Sequence, residues 1–181
     1  DIQVISLARK KLKSVGSEKT IIFSDIDKIS YLKCDVLVHL IGTGAQTKDS
    51  DYDLVNVQQT SKIIELCKRS KIKKIVYISG LGVSDSTTLG YFISKLKAEK
   101  LITKSGLDYT IFRASYIVGM KDPLTQNLTK QIKTGTIIIP GSGSYRLQPI
   151  SIDDVCRVIL AAATKKKLSR KIIDLVGDRK S

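Results

Sequence analysis

The 181-residue chain has three cysteines and one histidine, too few for a disulfide scaffold or a Cys/His metal cluster. Cys34, Cys67 and Cys156 are odd in number, widely spaced and set in apolar runs. They read as reduced core thiols of an intracellular, cytoplasmic protein. His39 lies within a strand-like run and reads as a core residue. A Ser/His/Asp triad would have to use that same His39, and no Gly-x-Ser-x-Gly elbow leads from a strand into a helix, so hydrolase and metal chemistry are not expected. Glycine and proline are also sparse, 12 and 3 residues, which argues against disorder or a collagen-like repeat. No apolar run approaches the roughly 18 residues of a membrane span, and no cleavable signal segment is visible.

Acidic side chains are scarce relative to basic ones, 17 against 31, a net charge of +14 with a pI near 9.7. The lysines fall in short groups (Lys10-Lys11-Lys13, Lys68 to Lys74, Lys165 to Lys167) at the ends of helix-like and strand-like segments, where solvated charge sits. Aromatics rarely interleave with them, as stacking on bases requires. Nucleic-acid binding therefore ranks below plain solvation, and a steep loss of affinity with salt is its signature.

What the chain does contain is a series of short, continuous, β-branched runs: Ile2 to Ala8, Thr20 to Phe23, Val36 to Ile41, Ile75 to Ile78, Tyr109 to Phe112, Thr136 to Ile139 and Ile172 to Val176. Continuous rather than alternating apolarity marks buried parallel strands. Helical spacing separates several of them. Asp53 to Arg69 carries one apolar face and ends in Lys68 and Arg69, which complement the helix dipole. Leu89 to Ser105 stops before Gly106. Val155 to Ala162 follows Ser151-Ile152-Asp153-Asp154, in which Ser151 or Asp153 can cap. Strands alternating with helices predict one doubly wound, Rossmann-like α/β domain over residues 1–181 with a parallel sheet. Asp1 leads straight into an apolar run, so a segment upstream is expected, and another after Gly177.

Tyr91 and Lys95 stand four residues apart, on one face of a predicted helix. An ammonium beside a phenol favours phenolate, so the pair could exchange a proton with a carbonyl or alcohol. Three stretches carry a wider likeness: Ile75-Val76-Tyr77-Ile78-Ser79-Gly80-Leu81-Gly82, Tyr91-x-x-x-Lys95-x-x-Ala98-Glu99, and Ser105 to Arg113. With Leu147 to Val155, and Asn56 opening a helix, they resemble the short-chain dehydrogenase/reductase superfamily. More narrowly the chain resembles its atypical NmrA-like and complex I-subunit-like NAD(P)-binding members. The likeness runs through essentially all 181 residues in order.

That resemblance implies NADP as cofactor, with NAD as the alternative. It implies Tyr91 as proton donor, Lys95 as its partner and as holder of the nicotinamide ribose, and Ser79 as an assisting hydroxyl, also lining the nicotinamide pocket. Arg9 and Lys10 would take the adenosine 2′-phosphate, Asp25 and Ile26 would meet adenine, Ile41 and Gly42 the ribose, and Ala114, Ser115 and Ile117 the nicotinamide. Three features depart from the family. The glycine-rich first turn, which cradles the pyrophosphate, is not among these residues, because the sequence starts at what resembles the second strand. Gly80 stands where active members place Ser or Thr, and Ala114 replaces a common Pro. The readings carried forward are a reductase of a small carbonyl compound or quinone, a non-catalytic NAD(P)-binding sensor or assembly factor with a protein partner, and an RNA-binding protein on the same scaffold. An epimerase- or dehydratase-like activity belongs to the same enzyme class. The substrate and oligomeric state are not legible.

Overall fold

The β-branched runs at Ile75 to Ile78 and Tyr109 to Phe112 become strands largely buried on both faces of a sheet, whereas those at Thr20 and Ile172 form strands that stay mostly exposed. In the computed structural model, residues 2–10, 19–48, 51–120, 122–138, 142 and 147–178 are described. A four-stranded parallel sheet has the order β3-β4-β5-β8. Its strands are β3 (Val36–His39), β4 (Lys74–Gly80), β5 (Asp108–Ala114) and β8 (Lys171–Leu175). A parallel pair, β1 (Ile5–Ala8) with β2 (Lys19–Ile22), stands as a separate two-stranded sheet, and a third sheet pairs β6 (Ile117–Val118) with β7 (Ile150–Ser151).

Three helices cover the two faces of the main sheet, as the doubly wound reading expects. Helices α1 (Gln59–Arg69) and α2 (Gly90–Lys104) bury Ile63, Leu66, Ala98 and Ile102 against Ile75, Tyr77 and Ile111. Helix α4 (Ile152–Thr164) buries Val155 and Ala162 against Val76, Phe112 and Leu175 on the other face. The helix ends follow local rules. Ser151 caps α4 by accepting from the Asp154 amide at 3.1 Å. Gly106, at φ 84°, takes the left-handed conformation that ends α2 without the steric cost a side chain would bring.

Some expectations need correction. Thr136 to Ile138 is irregular and exposed, with Ile138 73 % accessible, and Ile139 lies outside the described residues. Its composition suited a strand, but among the described residues no strand pairs with it. Ahead of it stands an unforeseen helix, α3 (Pro123–Lys133), capped by Asp122 and started by Pro123, and it buries no residue. The helix expected from Asp53 begins as a π-helical turn, Asp53–Gln58. Of the cysteines, Cys67 is buried and Cys34 half-buried, but Cys156 is exposed on the outer flank of α4, not in the core. Lys74, read as solvated charge, is buried and lies 3.8 Å from Asp108.

Candidate functional site

The residues singled out above collect at the C-terminal ends of the parallel strands, where doubly wound folds bind ligands. Arg9 and Lys10 follow β1 and are exposed; Asp25 and Ile26 lie beyond β2, Ile41 and Gly42 beyond β3, and Ala114 and Ser115 close β5. Ile26 is packed in the core at 1 % exposure, leaving only Asp25 of that pair at the surface. Asp25 accepts from the Asp27 amide at 3.2 Å and pairs with Lys62 at 2.9 Å. The Lys62 hydrogen bond holds its carboxyl below the usual carboxylate value.

Asn56 organises the turn after β3. Buried in the π turn, it donates to the Thr43 carbonyl (3.1 Å) and accepts from the Thr43 amide (2.8 Å), which fixes the Gly42-Thr43-Gly44 backbone. Its amide also donates to Ser94 Oγ at 2.9 Å, tying that turn to α2. π-helical turns are rare and are found frequently at functional sites. A Cβ built on Gly42 would stand 3.0 Å from Lys95 Nζ and 3.3 Å from Asn56 Oδ1, so a side chain there would crowd both groups, and glycine leaves the backbone open.

Helix α2 brings Tyr91 and Lys95 to the same place. Lys95, 6 % exposed, donates to the Tyr77 hydroxyl and the Ile78 carbonyl, each at 3.2 Å. Burial lowers its pKa to about 8, opposed by Glu99. Its Nζ lies 5.9 Å from the centre of the Tyr91 ring. Tyr91 is half-buried, edge-on to Phe92 at 5.1 Å and to Tyr52 at 6.0 Å. A Cβ on Gly80 would stand 3.3 Å from the Tyr91 hydroxyl, so the phenol rests against the position where a family serine side chain would project. Burial, then Tyr52, push the Tyr91 pKa up, the direction opposite to the activation expected from Lys95.

The remaining residues divide. Ser79 is 3 % exposed and its Oγ is buried without a hydrogen-bond partner. Ser115 donates to the Gln148 carbonyl, joining β5 to the segment before β7. Ile117 lies in β6 at the edge of the α4-side core. An unpaired buried hydroxyl at Ser79, the open glycine backbone at Gly42 and an inward-held ammonium suit a polar ligand with a ribose and an amide, as a nicotinamide nucleotide has.

Beneath this site is a buried polar chain not foreseen in the sequence. Thr60 Oγ1 spends its one proton on the Asn56 carbonyl at 2.6 Å, so His39 Nε2, 2.8 Å away, must be the donor to it. His39 Nδ1 is buried with no partner among the described residues, which suits the neutral ring, with its one proton on Nε2. Burial, then Lys95, lower its pKa to about 3 from 6.5. The unfolded chain therefore binds a proton that the folded chain refuses, and stability falls as pH drops below about 6.5, by about 1.4 kcal/mol per unit. Because His39 is the chain's one histidine, the loss between about pH 6.5 and 4.5 is expected to vanish in His39→Leu. Denaturation midpoints at pH 7, 6 and 5 check this; equal slopes in both proteins refute it.

Comparison with known proteins agrees with this geometry. Residues 26–166 match the family model described as NAD(P)H-binding. Subunit 9 of the NADH dehydrogenase [ubiquinone] 1 alpha subcomplex, mitochondrial, from Dictyostelium discoideum is 24 % identical over 144 residues, 80 % of this chain and 40 % of that protein. The uncharacterized sugar epimerase YhfK of Bacillus subtilis is 26 % identical over 151 residues, 80 % of this chain and 64 % of that protein. The chain thus spans roughly half the length of these curated relatives. In fold it is similar to the UDP-glucuronic acid 4-epimerase of Bacillus cereus solved with NAD: TM-score 0.80 and 21 % identity, over 99 % of this chain and 71 % of that one. No helix among the described residues is long and apolar enough to cross a membrane. With a family match over most of its length, on a parallel sheet whose strand ends gather Gly42, Tyr91 and Lys95, the chain belongs to the NAD(P)H-binding family of short-chain dehydrogenase/reductase-like proteins.

Proposed function

We propose that the protein binds NADP(H) across the strand ends and reduces a small carbonyl compound or quinone. The observation that carries this is the convergence of three elements: the Gly42 backbone after β3, the Lys95 ammonium from α2, and the Tyr91 phenol against Gly80. The bound nicotinamide supplies the hydride. Lys95 would hold the ribose hydroxyls, since its third N–H is not taken by Tyr77 or Ile78. Ser115 and Ala114, at the end of β5, would flank the ring, and Ser79 Oγ would gain the partner it lacks. Tyr91, its pKa raised, stays protonated at neutral pH and gives its proton to the substrate oxygen as the carbon accepts hydride. A carbonyl then becomes an alcohol; in a quinone one oxygen would take the hydride and the other the proton, which gives the hydroquinone.

A second reading, a nucleotide-dependent sensor or assembly factor with a protein partner, is favoured by Gly80. No serine or threonine hydroxyl stands beside the Tyr91 phenol at that position, and the relatives include proteins named as mitochondrial NADH dehydrogenase subunits. Tight NADPH binding without oxidation by any of a panel of carbonyls and quinones supports this reading over turnover.

Cofactor preference tests the placement of the 2′-phosphate. Two charge-assisted contacts from Arg9 and Lys10 contribute about 1.5–3 kcal/mol, an NADP preference of about ten- to a hundredfold. Replacing both with alanine is expected to erase the preference and leave NAD affinity nearly unchanged, as read by calorimetric titration. Equal loss for both nucleotides contradicts the assignment.

A further inference from the structure

Tyr77 lies in the middle of β4 with its side chain fully buried, between aliphatic neighbours. Its ring stacks on His39 at 5.1 Å, a contact that phenylalanine would make equally well. The hydroxyl is what needs explaining, since a buried hydroxyl is costly unless it is hydrogen-bonded. It has a partner. Lys95 Nζ donates to it at 3.2 Å and lies 5.0 Å from the ring centre, so the phenol oxygen accepts from the ammonium. The same ammonium donates to the Ile78 carbonyl at 3.2 Å, so β4 holds it at two points, beside the Gly42 turn that the Asn56 side chain grips.

We propose that Tyr77 is a positioning residue for Lys95, fixing its ammonium against the Gly42 turn before any ligand arrives. The consequence for ligand binding rests on the reading that this cleft holds a dinucleotide; the positioning itself does not. The geometry makes the lysine preorganised, anchored from the sheet and not only by the helix that carries it.

The groups facing Lys95 are Tyr77 on β4, His39 on β3, and Tyr91 and Glu99 on α2, with Glu99 paired to Arg113 of β5. Among these Tyr77 accepts a hydrogen bond directly from the ammonium, and so favours its charged form. In protein carrying 13C-lysine, the Lys95 Cε resonance, assigned by its disappearance in Lys95→Met, is expected to titrate near 8. In Tyr77→Phe the midpoint is expected to fall by about one unit, a tenfold loss of proton affinity. NADPH affinity, measured in parallel by fluorescence, is expected to weaken about three- to tenfold. An unchanged Lys95 midpoint in a folded Tyr77→Phe protein overturns the proposal whatever happens to binding. A shifted midpoint in a protein that binds no nucleotide upholds the positioning and refutes the dinucleotide reading. If Tyr77→Phe does not fold, the wild-type protein decides: nuclear Overhauser contacts between the Lys95 ε-methylene and the Tyr77 ring support the proposal, and their absence overturns it.

Discussion

Arg113→Met is expected to destabilise the protein by about 3–5 kcal/mol, a large share of the about 5–15 kcal/mol that holds a domain folded. Arg113 on β5 forms a bidentate pair with Glu99 on α2, Nε to Oε1 at 3.1 Å and Nη2 to Oε2 at 2.7 Å. The Glu99 side chain is 3 % exposed and that of Arg113 24 %. The asymmetry sets the sign of the comparison. Removing the arginine strands a carboxylate in the interior, with Lys95 one helical turn away as its remaining cationic neighbour. Glu99→Leu is expected to cost less, because the guanidinium can reach water. The double replacement, which removes both charges, should recover most of the loss. Denaturant unfolding of the four proteins at pH 7 is the check, and strict additivity of the two single losses would contradict the pairing.

For Tyr91→Phe the expected effect is on turnover, a fall of about a hundred- to ten-thousandfold in NADPH oxidation by the preferred carbonyl or quinone. Phenylalanine keeps the edge-on packing against Phe92 and Tyr52 and deletes only the transferable proton, so nucleotide affinity should stay within about twofold. A variant with full turnover would remove Tyr91 from the chemistry. One that loses affinity and turnover together would make it a binding residue.

The fold was legible because its signals are local. Ile75 to Ile78 and Tyr109 to Phe112 are β-branched or aromatic runs too short for helices, and Ser151 and Gly106 mark helix ends by their own backbone chemistry. Thr136 to Ile139 carried the same signal, and Thr136 to Ile138 formed no strand, because a strand also needs a neighbour to pair with. Helix α3 escaped notice for a related reason: it buries nothing, so no face of it had to be read as core. In the site, the four-residue spacing of Tyr91 and Lys95 was enough to put them on one helix face. The inward pull on Lys95 was not legible, since its partners Tyr77 and Ile78 lie 18 and 17 residues away in sequence. Nor was the Asn56 grip on Thr43, which depends on a π turn that propensity does not register. The Tyr91 pKa went the opposite way to the sequence argument. Lys95 spends its hydrogen bonds on β4, and burial beside Tyr52 governs the phenol.

The most direct test of a dinucleotide at these strand ends is a titration of 15N-labelled protein with NADP, followed by amide chemical shifts. The largest changes are expected at Arg9-Lys10, Asp25, Ile41 to Gly44, Ser79 to Gly82 and Ala114 to Ile117, all at the C-terminal ends of parallel strands. Those of Lys165 to Lys167 should stay still. Shifts spread over the lysine groups and fading with salt, or none at the Gly42 turn at saturating nucleotide, would contradict the account.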